Sequence, residues 1–312
     1  MTQTTADQTA LSAVEQAAAR EVGTIQQGRP TAGQVLVEYI REQRSVLVEA
    51  ERDLRDGSHE VHDVRVAVRR LRSLLRTFDG LFTIGSAEVF ESELRWFGAL
   101  LGAVRDPEVM RMRLLDLIAD QPESVVVGPV AARVQYELIA ERERHLAIVI
   151  AALDSPRYIE FVETLDRWAA APPFVPAVGR LQAAALRSHV KATRQLLVRR
   201  LDTAGKRNAT DEATHRARKA AKRTRYAIEA AAPAYSRKRI RRDIKRIRGL
   251  QESLGEFQDS VVAMETLAWL GDVAGRADGE SAFTFGVLYA AEKKRRDTAL
   301  RTARAEFAKA KL

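Results

Sequence analysis

Cysteine is absent from the 312 residues. That excludes disulfides, thiolate nucleophiles and cysteine-based zinc sites, and it suits a reducing compartment. Aromatic residues make up only 6%, few for the stacking platforms on which single-strand nucleic-acid binders seat successive bases. Glycine and proline are sparse and sit at junctions, leaving long stretches of Ala, Leu, Arg, Glu and Val that favour helix. No convincing series of alternating strand segments is present, Val125-Val126-Val127 beside Gly128-Pro129 being the nearest candidate. No apolar run reaches the roughly 18 to 20 residues of a membrane span. The first residues lack the basic start and apolar core of a secretory signal. The chain reads as soluble and cytoplasmic, without membrane insertion.

What is present is a repeat. The segment from His62 to Phe78 and the segment from His215 to Ala231 match at an offset of 153 residues: His62 with His215, Arg65 with Arg218, Arg69 with Lys222, Arg70 with Arg223 and Arg72 with Arg225. The offset persists in Leu101-Gly102…Asp106 against Leu254-Gly255…Asp259, in Tyr136 against Tyr289 and in Arg142 against Arg295. Upstream, Arg41 and Arg44 resemble Lys191 and Arg194 at an offset of 150. A fixed-period match predicts a two-part architecture with halves of ordinary domain size, each able to bury its own core.

The organisation follows from punctuation. Residues 1–30 read as a mobile tail ending at Gly28-Arg29-Pro30. Helices are expected over 32–56, from a Ser58 cap to about 79, over 86–104, from Asp106-Pro107 to 119, over 130–153 and to 170. Three prolines within 171–177 make that segment a linker. Helices over 178–203, 211–232, 236–254, 259–270 and 282–311 then complete the plan, with a glycine-rich turn at 271–279. The expectation is an all-α protein: a first helical bundle at 31–170 and a second at 178–312, two antiparallel four-helix bundles packed side by side.

The repeated helix carries the chemistry. At about 100° per residue, His62, Arg65, Arg69, Arg72 and Arg76 share a stripe about 80° wide, while Val61, Val64, Ala67, Val68, Leu71, Leu74, Leu75 and Phe78 occupy the apolar side. His215, Arg218, Lys222 and Arg225 repeat the stripe, with Glu229 where the first copy has Arg76. Stacked cations three and four residues apart repel, so stability does not explain them. A solvated charged face is the ordinary reading of such a run, but it need not keep the same residue types at five matching positions. The histidines add little charge at pH 7 unless an anion raises their pKa.

These two segments, HDVRVAVRRLRS and HRARKAAKRTRY, each followed by Leu-Gly-x-x-x-Asp, resemble the CHAD family, the conserved histidine α-helical domain. The resemblance covers about residues 31–312. It implies two four-helix bundles related by pseudo-two-fold symmetry, with the basic helices lining a central cleft. It further implies binding of inorganic polyphosphate and association with polyphosphate granules. On the family's pattern, that role falls to His62, Arg65, Arg69, Arg70, Arg72, His215, Arg218, Lys222, Arg223 and Arg225, with Arg76 added by the helical wheel. Arg41, Arg44, Arg142, Lys191, Arg194, Lys294 and Arg295 are candidates to widen the track. Some family members carry an N-terminal β-tunnel domain of triphosphate-hydrolase type, marked by alternating Glu. Glu91-Ser92-Glu93-Leu94-Arg95 echoes that pattern only faintly, within a helix, and the chain reads as a standalone member.

The physics agrees with that resemblance. A net charge of +9 with 42 acidic residues describes a mixed surface with a basic excess, suited to a polyanion. A phosphate polymer needs cations in a line, and guanidinium groups stay charged and hold two oxygens at once. Nucleic-acid binding is the alternative, though no zinc-finger spacing or helix-turn-helix signature is visible. A metal-dependent phosphohydrolase would need an acidic metal site or an activated nucleophile. Asp106 and Asp259 supply one carboxylate per half and read as helix caps or partners of a nearby arginine. No catalytic residue, cofactor or metal ligand is assigned. A purely structural role, as an interaction domain on a granule or for granule-associated proteins, is the third reading.

Overall fold

The computed structural model describes residues 30–57, 60–206 and 208–309. The tail expected before Pro30 and the Ser58 cap lie outside the described residues. Among the described residues, five helices precede the proline-rich segment: α1 (Ala32–Arg55), α2 (His62–Thr77), α3 (Ser86–Ala119), α4 (Val130–Leu153) and α5 (Pro156–Ala170). Four follow it: α6 (Leu186–Gly205), α7 (Asp211–Ala230), α8 (Arg237–Gly275) and α9 (Phe283–Lys309). Among the described residues there is no strand, only the isolated bridges Thr31–Gln182 and Phe82–Phe174. The all-α expectation is met.

Local chemistry sets several helix starts. Thr31 and Gln34 form a reciprocal capping box at α1, and Ser155 and Thr210 accept from the backbone N–H three residues on at α5 and α7. Two expected breaks do not occur. The helices drawn over 86–104 and 107–119 are one continuous α3 that runs through Pro107, and those drawn over 236–254 and 259–270 are one α8. An interior proline costs one backbone bond and a steric clash. In α3 the flanking turns outweigh that cost, with Leu94, Phe97, Leu101 and Val104 buried before the proline and Met110, Leu114 and Leu117 after it. Conversely, the helix expected from 178 begins only at Leu186. Its first turns are 3₁₀ segments held by edge contacts, with Ala32 N–H donating to Leu181 O at 2.7 Å and Ala183 N–H to Pro30 O at 3.0 Å.

The proline-rich segment is stitched in place. Thr83 N–H donates to Pro173 O and Val175 N–H to Leu81 O, and Phe174 stacks on Phe82 with ring centroids 5.2 Å apart. Helices adjacent in sequence pack together from α1 to α4 and again from α6 to α9, while α5 returns to α1 and α9 to α6. Helices α2 and α7 meet across the two groups.

The apolar interior is shared between the halves. One cluster of buried side chains joins α1, α2, the first half of α3, the end of α4 and α5 to α6, α7 and the first half of α8. A second joins the end of α3 and the start of α4 to the end of α8 and α9. Alanines 217, 220, 221 and 227 give α7 an apolar face too shallow to fill a core alone. It seats instead on α2, where Ser73 Oγ donates to Arg223 O at 3.3 Å. Gly98 lets α3 approach equally closely, since a Cβ there would stand 3.0 Å from Val68 Cγ1. The long helices α3 and α8 thus pass from one cluster into the other, and their apolar periodicity lapses between.

Candidate functional site

That lapse is where a cleft opens. Its volume is about 1910 Å³, and its walls are the middle stretches of α3 and α8 together with the first half of α2 and one face of α7, edged by α1 and α9. His62, Arg65, Arg69 and Arg70 enter it from α2, and His215, Arg218, Lys222 and Arg225 from α7. The two basic rows therefore face one space, α2 with its N-terminal half and α7 along most of its length. Lys294 and Arg295 reach it from α9. Acidic groups also line it, among them Asp63, Asp116 and Glu252, so the cleft is a track of cations between carboxylates.

The pairing inside the cleft repeats. Arg65 Nη1 donates to Asp106 Oδ1 at 2.6 Å, and Arg218 Nη2 approaches Asp259 Oδ1 at 3.4 Å, each pair spanning the same 41 residues of sequence. Asp106 and Asp259 lie inside continuous helices, so they are arginine partners rather than caps. Gly102 stands one turn before Asp106, and a Cβ there would lie 3.8 Å from Arg65 Nη2. Any longer side chain would displace the pair. At the equivalent next position the halves differ. Arg105 pairs with Glu108 at 2.6 Å, whereas Gln258 Oε1 lies 2.8 Å from His215 Nδ1, an acceptor that places the proton on that nitrogen. Burial, with Arg105, Arg69 and Arg65 close by, pushes the His62 pKa below its ordinary value.

Arg69 and Lys222 have neither an ion pair nor a hydrogen bond among the described residues, and the Arg69 Nε is a buried donor without an acceptor. Burial and the neighbouring Arg218, Arg69 and Arg65 lower the Lys222 pKa from 10.5 to about 7, against the opposing pull of Asp259. Burial and the same α2 arginines lower Arg218. Burial likewise pushes the Asp259 carboxyl up, despite Arg218, Arg113 and Lys222. Like charges thus oppose one another inside the cleft. An unfolded chain would bind a proton at Lys222 up to its ordinary pKa, whereas the folded chain releases it above about 7. The sign is therefore that stability of the unliganded protein rises as pH climbs from about 7 towards 10. Urea midpoints across that range should show the rise, and Lys222→Met should flatten it. An equal slope in both proteins would contradict the assignment.

The rest of the predicted set lies elsewhere. Arg72 and Arg76 turn from the cleft to Glu91 of α3, which also holds Arg95. Glu91 is 5% exposed, with Arg72 Nε at 2.9 Å and Arg76 Nε at 3.3 Å. Burial works against the Glu91 charge, yet the bonds from Arg95 and Arg72 hold its pKa below the usual range. Arg223 reaches back to the end of α2, bonding Thr77 Oγ1 and the carbonyl of Arg76. Glu229, the residue standing where the first copy has Arg76, takes Arg225 at 3.0 Å and Arg70 at 3.5 Å. Outside the cleft, Arg41 donates to Ala169 O, Arg44 pairs with Asp166 and Arg194 with the buried Asp243. Arg142 pairs with Glu143, and Lys191 is exposed on α6.

Three arginines of the lining, Arg105, Arg113 and Arg248, were not among the sequence candidates. Their signal lay in helical spacing: Arg248, Gln251, Gly255, Gln258, Asp259 and Val262 recur at i, i+3, i+4 and i+7 along the cleft face of α8. Reading a break at 254–259 concealed it.

Among known proteins, the CHAD domain family model matches residues 38–268. Uncharacterized proteins from two strains of Mycobacterium tuberculosis (CDC 1551 / Oshkosh and ATCC 25618 / H37Rv) are each 32% identical over 250 residues, 76% of this chain. The match covers 45% of those proteins, so the chain spans about half the length of the curated relatives. Of solved structures, PptA from Streptomyces chartreusis superposes with a TM-score of 0.74 at 21% identity, covering 89% of this chain and 100% of that one, a likeness of fold alone. The CHAD domain from the plant Ricinus communis gives 0.70 at 26% identity, covering 91% and 94%.

Proposed function

The chain belongs to the CHAD domain family, and we propose that its cleft binds inorganic polyphosphate as a long polyanion, without hydrolysing it, and that this binding places the protein at polyphosphate granules. One observation supports the reading: Arg65 and Arg69 from α2 and Arg218 and Lys222 from α7 line a single space, with Arg69 and Lys222 unpaired among the described residues. Cations left in mutual repulsion cost stability in the empty protein, and a bound anion reverses the sign of that cost. Arg65 and Arg218 hold their carboxylates from one side, so a phosphate entering the cleft competes with Asp106 and Asp259 for them. The linear arrangement suits a flexible polymer with about one charge per unit.

Nucleic acid fits less well. Tyr226 is the only Phe, Tyr or Trp side chain among the described residues that line the cleft, whereas single-strand binders stack bases on several. Titration of the full chain with long-chain polyphosphate, an RNA oligomer and duplex DNA at matched salt tests the choice. Polyphosphate is expected to bind tightest, and its affinity should fall by about a hundredfold between 0.05 and 0.2 M salt through counterion release. Preference for RNA or DNA would overturn the reading. Release of inorganic phosphate in the presence of Mg²⁺ or Mn²⁺ would overturn its non-enzymatic part.

A further inference from the structure

Two lysines line the cleft, and they differ in kind. Lys294 is exposed on α9, whereas Lys222 is partly buried, has no ion pair or hydrogen bond among the described residues and lines the cleft with guanidinium groups from two helices. We propose that Lys222 is a site of covalent acylation, taking its acyl group from small acyl phosphates that seat their phosphate on Arg65, Arg69 and Arg218. The inference rests on the anion-holding character of the cleft and not on the identity of the polymer.

Two requirements meet at this side chain. A lysine acts as a nucleophile only when neutral, and burial beside other cations is the environment that makes it so. The groups that act on Lys222 are Arg65 and Arg69 from α2, Arg218 on its own helix and Asp259 from α8. Burial first, and then the net effect of these charges, lowers its pKa to about 7. The same arginines offer donors to a phosphate, which is the leaving group of an acyl phosphate. In the step itself, the Nζ lone pair forms a bond to the acyl carbonyl carbon. The carbon–oxygen bond to phosphate breaks, phosphate departs with that electron pair, and the surplus amine proton passes to the departing phosphate or to water. The product is a neutral amide plus inorganic phosphate.

A bound polyanion would favour the protonated form of Lys222, and a neutral amide cannot take up that proton, so acylated protein should hold a polyanion more weakly, and a bound polymer should shield Lys222. Exposed Lys219, three residues before it on α7 and outside the cleft lining, provides the internal standard.

The experiment incubates the full chain with acetyl phosphate at pH 7.5 and follows acetylation of each lysine by peptide mass spectrometry. Lys222 is expected to react about tenfold or more faster than Lys219, the larger free-amine population being offset in part by weaker basicity and restricted access. A parallel reaction with an uncharged acetylating ester should shrink that advantage, because no phosphate docks. Lys222 reacting no faster than Lys219 with acetyl phosphate overturns the proposal. An undiminished advantage with the uncharged ester overturns its docking half. Labelling is read without polymer, so its failure leaves polyphosphate binding to be judged on the titration above.

Discussion

Arg69→Glu is expected to weaken polyphosphate binding by about a hundredfold or more at low salt while leaving the fold as stable as before, or more so. The two effects have opposite signs because Arg69 has no ion pair or hydrogen bond among the described residues. Its charge bears on His62, Lys222 and Arg218, depressing all three. A carboxylate at the same place would relieve that repulsion and give Lys222 a counterion, raising its pKa from about 7. The polymer would meet a negative group where it had a bidentate donor. Loss of one charged hydrogen bond accounts for about 1.5–3 kcal/mol, and repulsion adds to it. Net charge alone is controlled by Lys219→Glu, which makes the same change on the exposed side of α7. Binding of the Arg69 variant within about threefold of the parent, or an equal loss in the Lys219 variant, places the polymer outside the cleft.

The stripe that suggested this site was legible because helical periodicity is local: three of five positions on α2 and all four on α7 reach the cleft. What the wheel could not give was the course of the neighbouring helices. Arg72 and Arg76 lie on the same face as Arg65, but by their level α3 has come alongside, and Glu91 takes them. Arg70, off the stripe by the wheel, enters the cleft because α7 crosses α2 there. The helix class and most termini followed from caps and apolar spacing. The continuity of α3 and α8 did not, because Gly-x-x-x-Asp, followed in α3 by Pro107, looks like a stop until burial on both sides of it is known. The buried clusters explain the lapse: between Val104 and Met110, α3 faces the cleft rather than a core.

Glu292→Ala is expected to lower global stability by about 3 kcal/mol, the largest stability loss of the substitutions considered. Glu292 is fully buried and accepts Arg113 Nε at 3.0 Å and Nη2 at 2.7 Å, and Arg295 approaches at 3.5 Å. Arg113 also donates to Glu256 and to Ser260 Oγ, so one guanidinium ties α3 to α8 and α9 across the second apolar cluster. Burial opposes its charge, but these bonds prevail and hold its pKa above the ordinary arginine value. Removing Glu292 leaves that charge half-buried with Glu256 alone, and desolvation is no longer repaid. Urea unfolding should show a lower midpoint with an unchanged slope, and a loss under about 1 kcal/mol would refute the account. The paired substitution Arg113→Met with Glu292→Leu should recover most of the loss, since the carboxylate it leaves without Arg113, Glu256, is half exposed and solvated rather than buried. Glu256 gives a pH check of its own. Its bonds to Arg113 hold its pKa below 4.5, so the stability it contributes is present above that value and disappears as pH falls below it. The paired variant should lose that acid dependence. Arg113 commits its donors to two glutamates and a serine, which makes it a wall of the cleft, and leaves Arg69 and Lys222 as the cations offered to the proposed polymer.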